Sequence, residues 1–405
     1  MAPLAKRKAL IIAAVVTLCA VIGAVVGIVI WKTTSGSSSS ASNSSGDAES
    51  TTDASGKKTS GGGTSSGADR SAGSGSSANS STVSKITSDP TKATYSLGAY
   101  AIGDWGTTTT RDSCCKRRGD HAATNVDKNA EEAVGALMGM AATAAKLKPK
   151  VVIGHGDNFY WTGITDKTDQ TYRFTNTFET KFKDASLMAI PWVNVMGNHD
   201  YGGASYICDG GACADATAIV AGLKNKFSLQ ADYKSPNNDR WIMKDHFYVH
   251  SIKDDASGVS IDIFNMDTND ADSHGAQQIC CHLLDGLGVQ LWMNGHTHGE
   301  KHDHADFGLH YIENGAGGGI LNEAASGVPP YVTYIKPVWA YANHDYGFFE
   351  LSASKEWLQV RFLTFDDKWS IADDFKSSTL GGVASHHCWY IPVDGSLGKS
   401  CDKTQ

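Results

Sequence analysis

Trp192-Val193-Asn194-Val195-Met196-Gly197-Asn198-His199-Asp200 is the stretch from which the fold of this chain can be read. Five residues suited to a buried strand stop at a glycine, and an amide, an imidazole and a carboxylate follow. Three other runs end the same way. Leu97 to Ile102 stops at Gly103-Asp104, and Val151-Val152-Ile153 stops at Gly156-Asp157-Asn158. Val289-Gln290-Leu291-Trp292 runs into Gly295-His296-Thr297-His298. Between the first runs, Val134, Leu137, Met138, Ala141 and Ala145 recur at helical spacing, and a second helix is expected over 169–183. Strand, helix, strand, helix, strand predicts a parallel sheet. Ligands in such sheets collect at the carboxyl ends of the strands. Asp104, Asp157, Asn198, His296 and His298 are therefore expected to meet in one crevice. Carboxylates and an amide oxygen suit hard cations, and imidazoles suit iron, zinc or manganese. The glycines let the backbone turn tightly beneath the ions.

The rest of the chain sets the context. Lys6, Arg7 and Lys8 precede an uncharged run from Leu10 to Trp31, closed by Lys32. As a helix that run spans about 33 Å, enough for a membrane core. A signal peptide would have a shorter apolar region and a small-residue cleavage site. The expectation is a retained anchor over 1–32, with a cytoplasmic N-terminus and a catalytic domain that is extracellular or lumenal. Residues 33–92 are rich in Ser, Gly, Thr and Ala, too poor in apolar side chains to offset ordering entropy. They read as a disordered stalk, with Asn43 and Asn79 as glycosylation acceptors. Residues 93–405 remain as one large domain, β-rich after about 331. Net charge is −8 and no basic stripe occurs beyond the N-terminus, which argues against nucleic acid as a partner. Beyond Cys19 there are eight cysteines, Cys114, Cys115, Cys208, Cys213, Cys280, Cys281, Cys388 and Cys401. An even count outside the cytoplasm points to disulfides, and Cys208 with Cys213 closes a short Gly-rich loop.

Gly103-Asp104-Trp105-Gly106, Gly156-Asp157-Asn158-Phe159-Tyr160, Gly197-Asn198-His199-Asp200 and Gly295-His296-Thr297-His298 together resemble the blocks of the calcineurin-like metallophosphoesterases. Tyr160, three residues after Asp157, is similar to the purple acid phosphatase branch, as is Glu313-Asn314-Gly315-Ala316-Gly317-Gly318. The resemblance implies an α/β sandwich of two sheets flanked by helices. It implies that Asp104, Tyr160 and His298 hold Fe(III), that Asp157 bridges, and that Asn198 and His296 hold a divalent Fe, Zn or Mn. His199 would orient the phosphate or protonate the leaving group. The implied reaction is hydrolysis of phosphate monoesters by a metal-bound hydroxide at acid pH. Two cations about 3.5–4 Å apart would neutralise the dianion and clamp an in-line displacement. Small organic phosphates, nucleotides and phosphoproteins are all substrates of the implied class.

One part of the family pattern is missing. The family places a Val-x-x-His strand, with a helix on either side, between the third and fourth blocks, and its His completes the second metal site. Only 26 residues, 269 to 294, separate Thr268 from Gly295 here. They fit one helix-like run, Ala276 to Leu287, and the strand into Gly295. Three readings follow: a transcript or gene model lacking an exon, a true variant with one metal or a weak second site, or substitution by His274 or His282. His274, in a loop, is the better stand-in. Two functional rivals follow as well: a phosphodiesterase or nucleotidase of the same superfamily, and a catalytically impaired cell-surface binding protein. His302 and His304 are expected in a solvated loop, with a subsidiary reading in which they line the phosphate pocket. Asn343-His344-Asp345 reads as a loop and His386-His387-Cys388 as exposed tail. His155 reads as packed beneath the sheet.

Overall fold

The computed structural model describes residues 85–106, 123–203, 205–208, 211–269, 289–319, 327–328, 330, 332–341, 343 and 345–402, and residues 26–33 as backbone. All of them belong to one compact unit, Met1–Thr34 with Lys85–Gln405; the second unit, Ser35–Ser84, lies outside the described residues. So do the glycosylation acceptors, Cys114, Cys115, Cys280, Cys281, His274, His282 and His344.

The architecture is mixed α/β with two sheets. In one, β2 (Leu97–Ile102), β3 (Pro149–Gly154), β4 (Trp192–Val193) and β5 (Trp241–Ile242) run parallel. β12 (Gly347–Ala353), β13 (Trp357–Phe365), β14 (Val383–Pro392) and β15 (Lys399–Ser400) extend that sheet antiparallel from the free side of β2. The other sheet contains β6 (Phe247–Asp254), β7 (Val259–Met266), β8 (Leu291–Asn294), β9 (Glu300–Ala305), β10 (His310–Asn314) and β11 (Ile335–Ala340). Its seventh strand is β1 (Val26–Thr33), and the order is β11-β9-β10-β8-β1-β7-β6.

Burial explains the sequence pattern. Every residue of β2 is buried, so it reads as a continuous apolar run. Its Leu97, Ala99 and Ala101 face the other sheet and pack with Ile261, Ile263, Leu291, Met293 and Ile312. Tyr100 and Ile102 point to the opposite face, against Val134, Leu137, Met138 and Ala141 of helix α1 (Ala130–Ala144). The same layer holds an aromatic cluster in which Trp105 contacts Phe178, Phe182 and Trp192 edge-on or tilted, with ring centroids 5.3–5.9 Å apart. Each such buried side chain contributes about 1.5–3 kcal/mol.

Several expectations are corrected. The second helix is α2 (Lys167–Arg173), and its chain continues as a π turn, Phe174–Glu179. β4 is shorter than the sequence suggests, Trp192–Val193, with Asn194 N–H still donating to Ile242 O at 2.9 Å and its Nδ2 to Trp192 O at 3.1 Å. Helix α3 (Ala216–Ala231) was not foreseen. Residues 386–388 are no tail: they lie in β14, with His387 and Cys388 buried. Nor are His302 and His304 in a solvated loop, since both are buried on β9. Residues 85–92, assigned to the stalk by composition, touch the domain: Ile86 N–H donates to Asp394 Oδ2 at 2.9 Å and Pro90 is buried. Disulfides join Cys208 to Cys213, as expected, and Cys388 to Cys401, with Cα atoms 5.2 and 5.1 Å apart.

The N-terminal expectation is corrected at residues 26–33 alone; the rest of the expected anchor, residues 1–25, lies outside the described residues. Residues 26–33, read as the end of a membrane helix, form β1 between β7 and β8. Among the described residues no helix is long and apolar enough to cross a membrane. The physical reason is that two strand edges flank this position, and a run containing Val26, Ile28, Val29 and Ile30 has the β-branched composition to pair with both.

Candidate metal centre

Four turns at the carboxyl ends of strands build the centre. β2 leads to Asp104, β3 to Asp157 and Tyr160, β4 to Asn198 and His199, and β8 to His296 and His298. Asp104, Asp157, His296 and His298 have positive φ of 53°, 50°, 80° and 52°. Side chains other than glycine rarely adopt that region, and its concentration here marks a functional turn set. Close approach explains two glycines. A Cβ on Gly197 would collide with Asp157 Oδ1, and one on Gly295 with Asp104 Oδ2.

The buried Tyr160 hydroxyl lies 3.0 Å from Asp104 Oδ1, 2.9 Å from Asp157 Oδ2 and 3.4 Å from His298 Nε2. The phenol has one proton to share among these neighbours. Asp104 Oδ2 accepts from His296 N–H at 2.7 Å, and Asp157 Oδ1 from His199 N–H at 2.8 Å. Ligand atoms of Asp104, Asp157 and His298 all lie within 4.8 Å of one another. A cation with ligand bonds of about 2.0–2.2 Å fits such a set with small adjustments. His296 Nδ1 meets Asn198 Oδ1 at 2.9 Å.

Electrostatics make the same point. Burial, then the neighbouring Asp157, raises the Asp104 carboxyl well above its ordinary value. Burial also raises the Tyr160 phenol and pushes His298 down to about 4. Two carboxylates, a phenol and a neutral imidazole are thus held together without a cation among them, and a metal ion supplies the charge they lack. The donor set of oxygens with imidazole fits a transition metal.

Supporting residues hold the turns. Asp200 Oδ2 accepts from Gly197 N at 2.7 Å, Asn158 N at 3.0 Å and Asn158 Nδ2 at 3.1 Å. Its Oδ1 accepts from Phe159 N and Gln230 Nε2, each at 3.0 Å. Burial, then Asp157, pushes Asp200 up to about 7 against the pull of these donors. Arg173 donates to the Tyr160 carbonyl at 2.6 Å and fixes that loop to α2. His199 Nδ1 lies 3.3 Å from the Trp161 carbonyl. A carbonyl only accepts, so Nδ1 carries the proton there and Nε2 is left for exchange.

The structure therefore brings together Asp104, Asp157, Tyr160, Asn198, His199, His296 and His298. His302, proposed at the phosphate, lies elsewhere: it is buried, with Nδ1 2.9 Å from His387 Nε2 and Nε2 2.8 Å from His310 Nδ1. His155 is buried, as expected, and burial pushes it down to about 3. Sequence reasoning gave Asp200, Gln230 and Arg173 no role. Asp200 was signalled by its place in the third block; Gln230 and Arg173 left no local signal.

Residues 100–300 match the model of the calcineurin-like phosphoesterases. Tartrate-resistant acid phosphatase type 5 from Homo sapiens is 32% identical over 176 residues, 44% of this chain and 42% of that protein. The Sus scrofa form is 29% identical, over 45% of this chain and 42% of its own. Purple acid phosphatase 3 from Arabidopsis thaliana is 24% identical, over 67% and 76%. The match to the first two thus spans about two fifths of their length. Family match, relatives and turn geometry converge: residues 100–300 form a calcineurin-like phosphoesterase domain, and the chain is similar to the purple acid phosphatases.

Proposed function

We propose that this chain hydrolyses phosphate monoesters outside the cytoplasm, as an acid phosphatase using Fe(III) and a divalent metal. The observation that carries the reading is the meeting of Tyr160 with Asp104, Asp157 and His298. Phenol, carboxylates and imidazole are the donor set for a hard trivalent ion beside a second, softer one. Bound there, the ions supply Lewis acidity, charge neutralisation and water activation.

The chain's own groups do the rest. Asp157 accepts from the Tyr160 hydroxyl with one carboxylate oxygen and from the His199 N–H with the other, and so touches the turns of both. His199, pinned through Nδ1 to Trp161 and packed 4.6 Å from the Tyr160 ring, presents Nε2 as the proton donor to the leaving group. Phosphorylated small molecules and phosphoproteins are the substrate class. The two disulfides support an oxidising, extracytoplasmic location.

The test is metal analysis, a visible spectrum and turnover of a chromogenic phosphate monoester by the full chain. Bound iron, a tyrosinate band and turnover at acid pH are expected. Turnover of diesters without that band would move the assignment to a phosphodiesterase. Bound metal with no turnover of either ester would leave a binding protein.

A further inference from the structure

Among the described residues the two sheets end in four edge strands, and three of these are closed to further pairing. β5 and β15 are two residues long. β11 carries Pro337, which has no N–H, and its register with β9 shifts between Pro337 and Trp339. Short edges, edge prolines and bulges are the devices that keep an edge from capturing another strand.

β6 has none of them. It ends the seven-stranded sheet, is eight residues long and contains no proline. It pairs with β7 at all eight positions, from Phe247↔Met266 to Asp254↔Val259, without a shift. Among the described residues no strand lies along its other edge. Phe247 and Val249 stand on one face of it, 44% and 47% exposed, and Ser251 and Lys253 follow on the same exposed face. A long, regular edge flanked by exposed apolar side chains is a template for another strand.

The sequence of this edge is complementary to itself. Laid antiparallel about a two-fold axis at Val249, β6 sets Val249 against its own copy, Phe247 against Ser251 and Tyr248 against His250. Extended past the ends of that core, the same register brings Asp245 opposite Lys253 and Lys244 opposite Asp254, twice each. Opposite charges across two strands favour their pairing and like charges oppose it. An axis at His250 would instead set Asp245 against Asp255. Lys253 Nζ lies 2.9 Å from Asp255 Oδ1, with both side chains more than half exposed, and so weak an ion pair is readily exchanged for Asp245 of a second copy.

We propose that β6 is a docking surface for a second copy of this chain. Two β6 strands pair antiparallel about Val249 and join the seven-stranded sheets of two molecules into one. Main-chain hydrogen bonds hold the pair, and the charged ends fix its register. The joined sheet ends on β11 at both sides, where the proline and the bulge stop further addition, so assembly closes at two chains. The metal centre and its chemistry play no part in this inference.

The experiment measures the molar mass of the full chain by light scattering over a dilution series. Two chains per particle are expected at the concentrated end. Val249→Lys sets two ammonium groups face to face at the axis and should leave one chain per particle with an unchanged circular dichroism spectrum. Asp245→Lys should weaken association about tenfold, since two attractive pairs become repulsive, and Asp245→Lys combined with Lys253→Asp should restore it. Val249→Cys should form a disulfide-linked pair of chains under mild oxidation, because directly opposed residues have Cα atoms about 4.5–5.5 Å apart. One chain per particle at every concentration would overturn the proposal, as would two chains per particle that Val249→Lys leaves unchanged. A two-chain particle in which Val249→Cys forms no cross-link would place the interface elsewhere. Failure of the double charge exchange to restore association would overturn the Val249 register.

Discussion

Tyr160 Oη donates to Asp104 Oδ1 at 3.0 Å, deep in the protein, although the proposed centre would use both groups as acceptors toward a metal. Without metal the phenol proton is the cheapest positive charge available to the carboxylates. Tyr160→Phe removes it. The metal-free variant should lose about 1.5–3 kcal/mol of stability, the usual worth of a hydrogen bond to a charged group. The iron-loaded variant should lose its visible band while keeping the fold by circular dichroism. A band unchanged in Tyr160→Phe would exclude this phenol as a ligand.

The raised pKa of Asp104 has a definite sign. A carboxyl raised in the folded state adds stability that is fully present below its unfolded value, near 3.8, and is lost as pH rises through the folded value. The chelated protein should therefore lose stability with rising pH above about 4 through this group. Asp104→Asn should flatten that part of the profile in thermal melts across pH. Metal affinity should move oppositely, weakening as pH falls, because protons compete with the ion. Equal pH slopes in the two proteins would contradict the account.

Asp200 ties two ligand turns together through one carboxylate. Gly197 N–H and Asn158 N–H converge on the same oxygen, so the Asn198 turn cannot move without the Asp157 turn. Asp200→Ala strands these buried donors and should cost about 1–3 kcal/mol for each one left unsatisfied. Asp200→Asn keeps the shape but turns an NH₂ toward N–H groups. It should retain the fold at lower melting temperature and lose turnover by more than the stability change explains. A variant with full turnover would remove Asp200 as a positioning residue.

Which features the sequence revealed follows from how local they are. Asp104, Asp157, Asn198 and His296 each sit within three residues of a glycine that ends an apolar run, so both strand and ligand lie in one short window. The helix carrying Val134 and Leu137 was equally legible from its period. β14 was missed because His386 and His387 interrupt its apolar run, and its place is fixed by β13 and by the buried histidines of β9 and β10. β1 was missed for a deeper reason. An uncharged apolar run satisfies a membrane helix and a central strand alike, and periodicity cannot separate them. The choice is made by β7 and β8, more than two hundred residues away.

His387, His302 and His310 form a buried relay that ends on the Ser396 carbonyl, 3.2 Å from His310 Nε2. That carbonyl requires Nε2–H on His310, which sets the tautomer of each ring in turn. Burial lowers His302 well below its ordinary value and His310 to about 3. Unfolded histidines protonate below about 6.5, so the native state loses stability as pH falls from there toward 3. His302→Gln should shallow this slope in chemical denaturation across pH 3.5–6.5. A slope unchanged by the substitution would show that the relay does not govern acid stability.

Val29 pairs on both sides, with Ile263 of β7 and Leu291 of β8. A proline there removes an N–H from a strand with neighbours on each edge and forces φ toward −65°, which central strands do not tolerate. Val29→Pro should destabilise the domain by about 3 kcal/mol or more. The same substitution at a position outside the sheet would act only on the unfolded ensemble, by less than about 1 kcal/mol. Thermal melts of the full chain distinguish the two. A Val29→Pro protein that melts with the wild type would remove β1 from the sheet, and the strand position between β7 and β8 would need another occupant.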